Sequence, residues 1–324
     1  MAEGIIADHM PEGTRSGRPY STHSHEADLF FVRWISRWPL GLLHALGGLL
    51  GWLVWLGSPT YRRRLRANAE LAGVAPRDWR RSVAESGRMV AETPWLWLRA
   101  DDRVLAPLVT WRNVEALDAH VAQGRPLVLL TPHMGSFEVA GRAFAMRYGQ
   151  RQPITVLYRP ARQRALREFQ EEARKRPTMP TAPASLAGVR QMLRALKRKE
   201  AVGLLPDQVP PEGQGVWAPF FGKPAYTMTL AARLMQQTGA GCFVLSGERL
   251  PRGAGYVVHA SQLVRALPAA TDPQAQVEAA TIINETMEQV ILSDPGQYIW
   301  GYNRYKPPRT TETSAPAPSA EGGA

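Results

Sequence analysis

The sequence predicts an α/β protein whose mixed, mostly parallel sheet is covered by helices, with a hydrophobic helical segment near the N-terminus. Short apolar runs of strand length alternate with stretches of helical periodicity after about residue 120. Turn and capping residues separate these stretches. An uncharged apolar segment precedes them at residues 39–57. Strands separated by helices are typical of a parallel sheet that is covered on both faces.

The strands are predicted at residues 127–130, 154–158, 201–205, 242–246 and 256–260. Helices are predicted at residues 137–148, 161–175, 185–199, from Thr227 or Thr229 to 237, and 272–292. Ser185 is a capping residue, and its helix is expected to bury one face. That face consists of Leu186, Val189, Leu193 and Leu196. Residues 60–120 have a helical pattern, within which PWLWL at 94–98 is a candidate lipid-facing stretch.

The chain of 324 residues divides into four parts. Residues 1–28 are polar and rich in Gly, Ser and His, lack the layout of a secretory signal, and are expected to be disordered. Residues 29–60 form the membrane-associating helical segment, and 61–306 form a single α/β domain. Residues 307–324 have almost nothing to bury and are expected to be a flexible tail.

The apolar segment at residues 39–57 contains five glycines, His44 and no formal charge. As a helix it would be about 28 Å long, close to the thickness of the hydrocarbon layer of a bilayer. Two arginines precede it and four follow at 62–66, so a spanning segment would put the main body in the cytoplasm. Tryptophans cluster around it, as expected at headgroup level. The segment fits a spanning helix, an interfacial helix or a buried core helix.

The net charge limits the expected binding partners, and the cysteine content limits the possible disulfides and metal sites. Lys and Arg total 39 against 28 Asp and Glu, a net charge of +11, which favours an anionic partner: a nucleic acid, an acidic membrane surface or an acidic protein. The only cysteine, Cys242, excludes an intramolecular disulfide and a cysteine-cluster metal site. In its apolar context Cys242 reads as a small buried residue.

A histidine and a glutamate, His133 and Glu138, lie where a buried strand gives way to a helix. A histidine removes a proton from a hydroxyl when its accepting nitrogen is aimed, and a carboxylate can aim it by holding the other ring nitrogen. The spacing alone is weak, because His23 and Asp28 repeat it in the polar tail. The preceding apolar run and Gly135 distinguish His133. On the pattern alone, a catalytic base and a structural histidine both remain possible.

The block HMGSFE, residues 133–138, resembles the HxxxxE block of the bacterial lipid A biosynthesis acyltransferases, within the wider glycerolipid and lysophospholipid acyltransferase superfamily. Four further stretches agree in order: VLYRP, LLPDQ, PFFGKPAYT and QYIWGYNRYK. The resemblance covers roughly residues 30–307 and includes the hydrophobic segment. LPDQ lacks the Gly-Thr-Arg ending of glycerol-phosphate acyltransferases, which favours a sugar-lipid acceptor.

The resemblance implies transfer of an acyl chain from a thioester of acyl carrier protein, or of coenzyme A, to a hydroxyl of a lipid A precursor. In that scheme His133 is the general base, Glu138 fixes its tautomer, and neither a cofactor, a metal nor an acyl-enzyme is needed. The implied substrate-binding residues are Arg159, Asp207, Gln208, Lys223 and Arg304. The implied location is the bacterial inner membrane, with the catalytic domain on the cytoplasmic side.

Three of the implied substrate-binding residues also have a plain structural interpretation. Arg159 fits a solvated strand end, Asp207 fits a turn after a proline, and Arg304 fits a solvated charge near the terminus. The basic stretch at residues 161–176 fits a docking helix for acyl carrier protein, for phosphates or for anionic lipid, and equally a solvated helix.

Other functions are compatible with parts of the sequence. The same chemistry fits a phosphatidylinositol mannoside, an ornithine lipid or a lysophospholipid as acceptor. A non-catalytic lipid-binding protein also fits the apolar segment. A hydrolase is disfavoured because no GxSxG nucleophile elbow occurs, and a nucleic-acid binder because no groove-reading or base-stacking motif is found.

Overall fold

A computed structural model describes residues 32–98, 101–158, 176–269 and 272–309. The α-helices bounded within these ranges are α1 Leu40–Gly57, α2 Pro59–Leu71, α3 Pro76–Leu98, α4 Asp102–Leu105, α5 Glu115–Ala122, α6 Phe137–Tyr148, α7 Leu186–Lys197, α8 Leu230–Thr238 and α9 Pro273–Ser293. Its strands in the same ranges are β1 Val109–Arg112, β2 Leu127–Leu130, β3 Ile154–Tyr158, β4 Thr181–Pro183, β5 Ala201–Leu204, β6 Gly215–Phe220, β7 Lys223–Met228, β8 Gly241–Arg249 and β9 Tyr256–Gln262.

Seven of these strands form one mixed sheet in the order β1-β9-β8-β2-β5-β3-β4. All neighbouring pairs are parallel except β8 with β9, which are antiparallel. The predicted fold class, a mostly parallel mixed sheet covered by helices, is therefore confirmed. Strands β6 and β7 form a separate antiparallel hairpin.

The sheet separates two apolar cores, and β2 shows how. Its four residues are all buried, yet Val128 and Leu130 belong to one core while Leu127 and Leu129 belong to the other. Successive side chains of a strand point to opposite faces, so a continuous apolar run fits a strand with helices on both sides. Helices α7, α8 and α9 pack in the first core, and α5 and α6 in the second.

Local signals set several helix boundaries as predicted. Ser185 accepts a hydrogen bond from the Gly188 amide at the start of α7, and Asp272 caps α9 ahead of Pro273. The predicted buried face of α7 is wrong in part, because Leu186 is 78% exposed. Leu196 is buried as predicted, together with Met192 and Ala195, which were not part of the predicted face.

The short strand β4 was not among the predicted strands, and three further features differ from the sequence prediction. The stretch 60–120, read as helical, contains β1, a four-residue edge strand whose periodicity is too short to detect. The candidate lipid-facing stretch at 94–98 ends α3 inside the core, where Trp95 and Leu96 are buried. The β6–β7 hairpin was not predicted, because Pro219 and Pro224 argue against a strand and here oppose each other in the ladder.

Helix α1 is, within the described ranges, the one helix long and apolar enough to cross a membrane. Four predicted parts of the chain lie wholly or partly outside the described residues: Arg159, the basic helix at 161–175, the N-terminal tail at 1–28, and the C-terminal tail at 307–324 from residue 310 onwards.

Candidate active site

The central residues of the site follow two neighbouring parallel strands, β2 and β5. They pair in register, with Leu130 opposite Leu204, and the Thr131 amide donates to the Leu204 carbonyl at 3.0 Å. His133 and Asp207 each follow three residues after this matched pair. The chain therefore brings both side chains to the same carboxyl edge of the sheet, where open α/β sheets bind ligands.

His133 and Asp207 are held together by two hydrogen bonds. The Nδ1 atom of His133 lies 2.7 Å from Oδ1 of Asp207, and the His133 backbone amide donates to Oδ2 at 2.8 Å. Because an ionised carboxylate only accepts, Nδ1 carries a proton. The two bonds fix the position and rotation of the imidazole, which is 3% exposed.

The other ring nitrogen, Nε2, lies 3.1 Å from the side-chain nitrogen of Gln208. An amide nitrogen donates, so Nε2 is an acceptor in this arrangement. This is the tautomer that a general base needs, with a lone pair on Nε2 and a proton on Nδ1 held by an acid. The ring of Phe137 packs beside the imidazole with its centre 5.1 Å away.

The surroundings of Asp207 keep this buried acid ionised. Burial by itself would raise its pKa, but electrostatic interactions and hydrogen bonds with His133, together with the charge of Arg304, outweigh burial and lower the pKa. Tyr298 hydrogen bonds to Asp207, and burial together with that negative charge raises the pKa of Tyr298 well above its ordinary value. Tyr298 therefore stays neutral and acts as a donor.

The loop that carries His133 is fixed by its backbone. Gly135 has a φ of 54°, and its amide donates to the Gln297 carbonyl at 2.9 Å. The Ser136 amide donates to the Gly247 carbonyl at 2.7 Å. A Cβ at Gly135 would collide with that Gly247 carbonyl, so both the conformation and the close approach require glycine. The loop is thereby tied to β8 and to the C-terminal segment.

A cluster of buried charges lies behind the loop. The Arg249 guanidinium donates to the Gly135 carbonyl at 2.8 Å and forms ion pairs with Glu85 at 2.7 Å and Glu92 at 2.6 Å. Glu92 also lies 2.9 Å from Nε2 of His44 on α1. Burial would raise the pKa of Glu92, but Arg249 and His44 lower it to about 2.

Glu138 is in the first turn of α6, as predicted, and lines a pocket rather than the Nδ1 side of His133. The pocket has a volume of about 600 Å³ including its open mouth. Its wall is formed mainly by aliphatic residues such as Leu129, Ile154 and Leu157. Glu138 is the one ionisable side chain among the described residues that line it. The contact expected between Glu138 and Nδ1 is made by Asp207 instead.

The remaining predicted site residues take different positions. Arg304 is 3% exposed, and it donates to the Tyr226 carbonyl at 2.7 Å and the Thr227 hydroxyl at 2.8 Å, which fastens the β6–β7 hairpin. Lys223 is exposed at the tip of that hairpin, with Nζ 4.9 Å from the centre of the Tyr305 ring. Arg159 lies outside the described residues.

Sequence reasoning missed Arg249 and singled out neither Tyr298 nor Gln297. Both of the latter lie within QYIWGYNRYK, which the sequence did single out. Arg249 has a weaker signal, a charged residue at the end of the apolar run in β8. Its importance depends on acids that lie 157 and 164 residues earlier in the chain.

Comparison with known proteins finds one matching family and several related sequences. A family model described as bacterial lipid A biosynthesis acyltransferase matches residues 22–307. The palmitoleoyltransferase of lipid A biosynthesis from Escherichia coli is 28% identical over 232 residues, which cover 70% of this chain and 71% of the relative. The E. coli lauroyltransferase of lipid A biosynthesis is 26% identical over 280 residues, covering 83% and 86%. A lipid A biosynthesis acyltransferase from Haemophilus influenzae is 25% identical over 279 residues, covering 83% and 85%.

Proposed function

Because this chain belongs to the bacterial lipid A biosynthesis acyltransferase family, we propose that it transfers a fatty acyl chain from an acyl-carrier-protein thioester to a hydroxyl of a lipid A precursor, with His133 as the general base. The observation that carries the proposal is the imidazole whose Nδ1 is held by Asp207 while Nε2 is left as an acceptor. Histidine in this state removes a proton from a hydroxyl near neutral pH.

The reaction needs one proton to move twice. The acceptor hydroxyl gives its proton to Nε2 of His133 as its oxygen attacks the thioester carbonyl. Asp207 stabilises the resulting imidazolium, because its carboxylate accepts from Nδ1 at 2.7 Å. The tetrahedral intermediate then breaks the carbon–sulfur bond, and the imidazolium returns the proton to the departing thiolate. An ester and a free thiol result, without an acyl-enzyme.

The Gln208 amide, 3.1 Å from Nε2, marks where the acceptor hydroxyl lies in this scheme. An acceptor that binds displaces the amide from Nε2, and Gln208 can then hydrogen bond to a neighbouring sugar oxygen. Gln208 thus remains a substrate-binding residue, as the resemblance implies.

The aliphatic pocket beside Glu138 fits the donor's acyl chain. Aliphatic walls bind a hydrocarbon chain by removing its surface from water. Glu138 at the wall would add negative charge near the imidazolium and favour its formation. In this proposal Asp207 orients the base, and Glu138 is a second, electrostatic group.

Positive charge near the site suits phosphorylated substrates. The Val209 amide, next to Gln208, donates to the hydroxyl of Tyr302, and Nζ of Lys306 lies 5.1 Å from the centre of that ring. Lys306, Lys223 and Arg159 are proposed contacts for acceptor phosphates or for the acidic carrier protein. Arg304 is proposed to act indirectly, because its charge favours ionised Asp207.

The net charge of +11 and the apolar helix α1 support an enzyme at an anionic membrane surface. We place it at the bacterial inner membrane with the catalytic domain on the cytoplasmic side, where acyl carrier protein is available.

The experiment is to incubate the purified protein with acyl-carrier-protein thioesters and a panel of lipid acceptors and to weigh the products. We expect a lipid A precursor to gain one acyl chain, and His133→Ala to lower turnover by about 10²–10⁴-fold while the protein remains folded. If product formed only from ornithine lipid, lysophospholipid or phosphatidylinositol mannoside, the lipid A precursor would be rejected as the acceptor. Near-normal turnover in His133→Ala would reject the mechanism, and no product from any donor would leave a lipid-binding protein as the better account.

A further inference from the structure

Helix α1 has an exposed apolar face that the fold leaves uncovered. The exposed side chains are Leu42, Leu46, Leu49, Leu50, Leu53, Val54 and Leu56. Their exposed fractions run from 42% at Leu46 to 61% at Leu56. Soluble monomers rarely leave so large a contiguous apolar surface in water, and such surfaces mark contacts with proteins or membranes.

The opposite face of α1 is locked to α3 by glycines. A Cβ at Gly47 would lie 2.7 Å from the Gly87 carbonyl oxygen, and a Cβ at Gly51 would collide with the Val83 carbonyl. Without side chains between them, the two backbones touch over the middle of α1. The helix is therefore part of the folded body and not a separate anchor.

Charged groups lie against the same glycine face. The Arg88 Nε donates to the His44 carbonyl at 3.3 Å, and the His44 ring lies 2.9 Å from Glu92. If α1 crossed a bilayer, its middle would carry Glu85, Arg88, Glu92 and Arg249 towards the hydrocarbon centre. Ionisable groups are strongly disfavoured there.

We propose that α1 lies flat in the membrane interface, with its exposed leucines among the upper acyl chains and the α3 side facing the protein. In this orientation the exposed leucines and Val54 of α1 contact lipid, and the buried charges stay on the aqueous side. Interfacial helices of this kind are buried by about 5–10 Å.

The lipid partner is an anionic phospholipid surface. Arg33 and Arg37 precede α1, and Arg63 and Arg66 follow it, all four exposed. Trp34, 47% exposed before α1, is the amphipathic type of side chain that favours the headgroup level. Basic residues at both ends of a flat apolar helix match a negative bilayer surface better than they match a second copy of this basic chain.

Helix α1 is also connected to the catalytic loop through side-chain contacts. His44 on α1 contacts Glu92, Glu92 pairs with Arg249, and Arg249 holds the Gly135 carbonyl beside His133. The membrane-bound helix and the catalytic loop are thus joined through three side chains. The binding mode itself is measured without acyl transfer, so its failure would be separate from a failure of the proposed function.

The decisive test measures depth along the helix. Cysteines replace Leu42, Leu49 or Leu56 one at a time in a Cys242→Ala background, and each carries a spin label in vesicles of phosphatidylglycerol and phosphatidylethanolamine. We expect collisions with oxygen and with a water-soluble relaxant to report one similar, shallow depth for all three. A deep Leu49 position between two shallow ends would overturn the proposal in favour of a spanning helix.

A second measurement addresses the partner. Leu49→Glu with Leu53→Glu is expected to weaken vesicle binding by at least about tenfold, because two leucines lose their apolar burial. The matched control is Leu186→Glu, also an exposed helical leucine, which should bind like the unchanged protein. Labels that couple to each other across protomers and do not report a lipid environment would assign this face to a second copy and overturn the proposal.

Discussion

At the scale of single residues, the site depends on which acid holds His133. Asp207 makes two hydrogen bonds to this residue, to Nδ1 and to the backbone amide, whereas Glu138 lies on the wall of the pocket. An acid that holds Nδ1 keeps the proton on the nitrogen that does not react. Replacing it with an amide allows the opposite tautomer, in which Nε2 carries the proton and cannot accept another.

Asp207→Asn is therefore expected to lower kcat by about 10²–10⁴-fold, while Glu138→Gln lowers it less, because Gln keeps the shape of the wall and leaves the tautomer intact. The measurement is single-turnover acyl transfer with circular dichroism as the check on folding. If Glu138→Gln were the more damaging change and Asp207→Asn nearly neutral, the orienting role would return to Glu138.

The residues of the site were partly accessible from sequence. The end of an apolar strand indicates His133, and the family resemblance implies Asp207 and Gln208. Their mutual arrangement was not accessible, because His133 and Asp207 are 74 residues apart and meet only through the pairing of β2 with β5. The buried position of Arg304 was also unpredictable, since the local pattern of a charged terminus suggests exposure.

At the scale of elements, the contact between α1 and α3 depends on glycines. Because glycine has no side chain, the two helix backbones can approach each other closely. Gly51 and Gly87 face each other so closely that a methyl group on either would meet backbone atoms of the opposite helix. Backbone atoms cannot rotate away as side chains do, so the helices would have to separate.

Gly51→Ala and Gly87→Ala are each expected to lower the free energy of unfolding by about 1–3 kcal/mol, despite the better helix propensity of alanine. The matched control is Gly57→Ala at the exposed end of α1. A Cβ at this position would have no neighbouring atom within 4 Å, so a small gain in stability is expected. Urea unfolding in detergent micelles measures all three. Equal stability of the three variants would show that the two helices do not touch as described.

The β6–β7 hairpin shows how tertiary contacts override weak local signals. Phe221 and Gly222 form its two-residue turn with φ values of 48° and 73°, the left-handed pair that a tight hairpin needs. A phenylalanine is unfavourable in that conformation. Helix α9 supports it, because Glu288 accepts from the Phe221 amide at 2.7 Å.

At the scale of the whole molecule, the cluster of Arg249, Glu85 and Glu92 connects α3, β8 and the catalytic loop. Removing one partner from such a buried pair leaves an uncompensated charge in the protein interior. The stability lost in this way is larger than the net stability that the intact pair contributes. Glu92 is ionised in the folded protein at a pH where it would be protonated in the unfolded chain, because its pKa falls from 4.5 to about 2 on folding.

A group whose pKa is lowered by folding stabilises the protein above its unfolded pKa, and that stability is lost as the pH falls. We therefore expect the urea midpoint to fall as the pH is lowered from 5 to 3. Glu92→Gln should be less stable than the unchanged protein at pH 6, but its stability should fall by less between pH 5 and pH 3. Exposed Glu115→Gln is the control and should follow the unchanged protein. The same pH slope in Glu92→Gln and the unchanged protein would contradict the assigned role of Glu92.

The sequence by itself determined the strands of the sheet centre, most helix starts, the apolar segment and the excess of positive charge. Each of these depends on residues within a few positions of one another, through periodicity, capping and composition. The short edge strand β1 and the proline-containing hairpin were not determined in this way, because four residues carry little periodicity and proline is a signal against a strand.

Only the tertiary structure decided that Asp207 holds His133, that Arg249 supports the catalytic loop, and which face of α1 stays exposed. These contacts join residues that are tens to more than a hundred positions apart. They follow from the order of strands in the sheet and from the close approach of two glycine faces. A local pattern of residues does not specify either, because packing selects among arrangements that share the same local pattern.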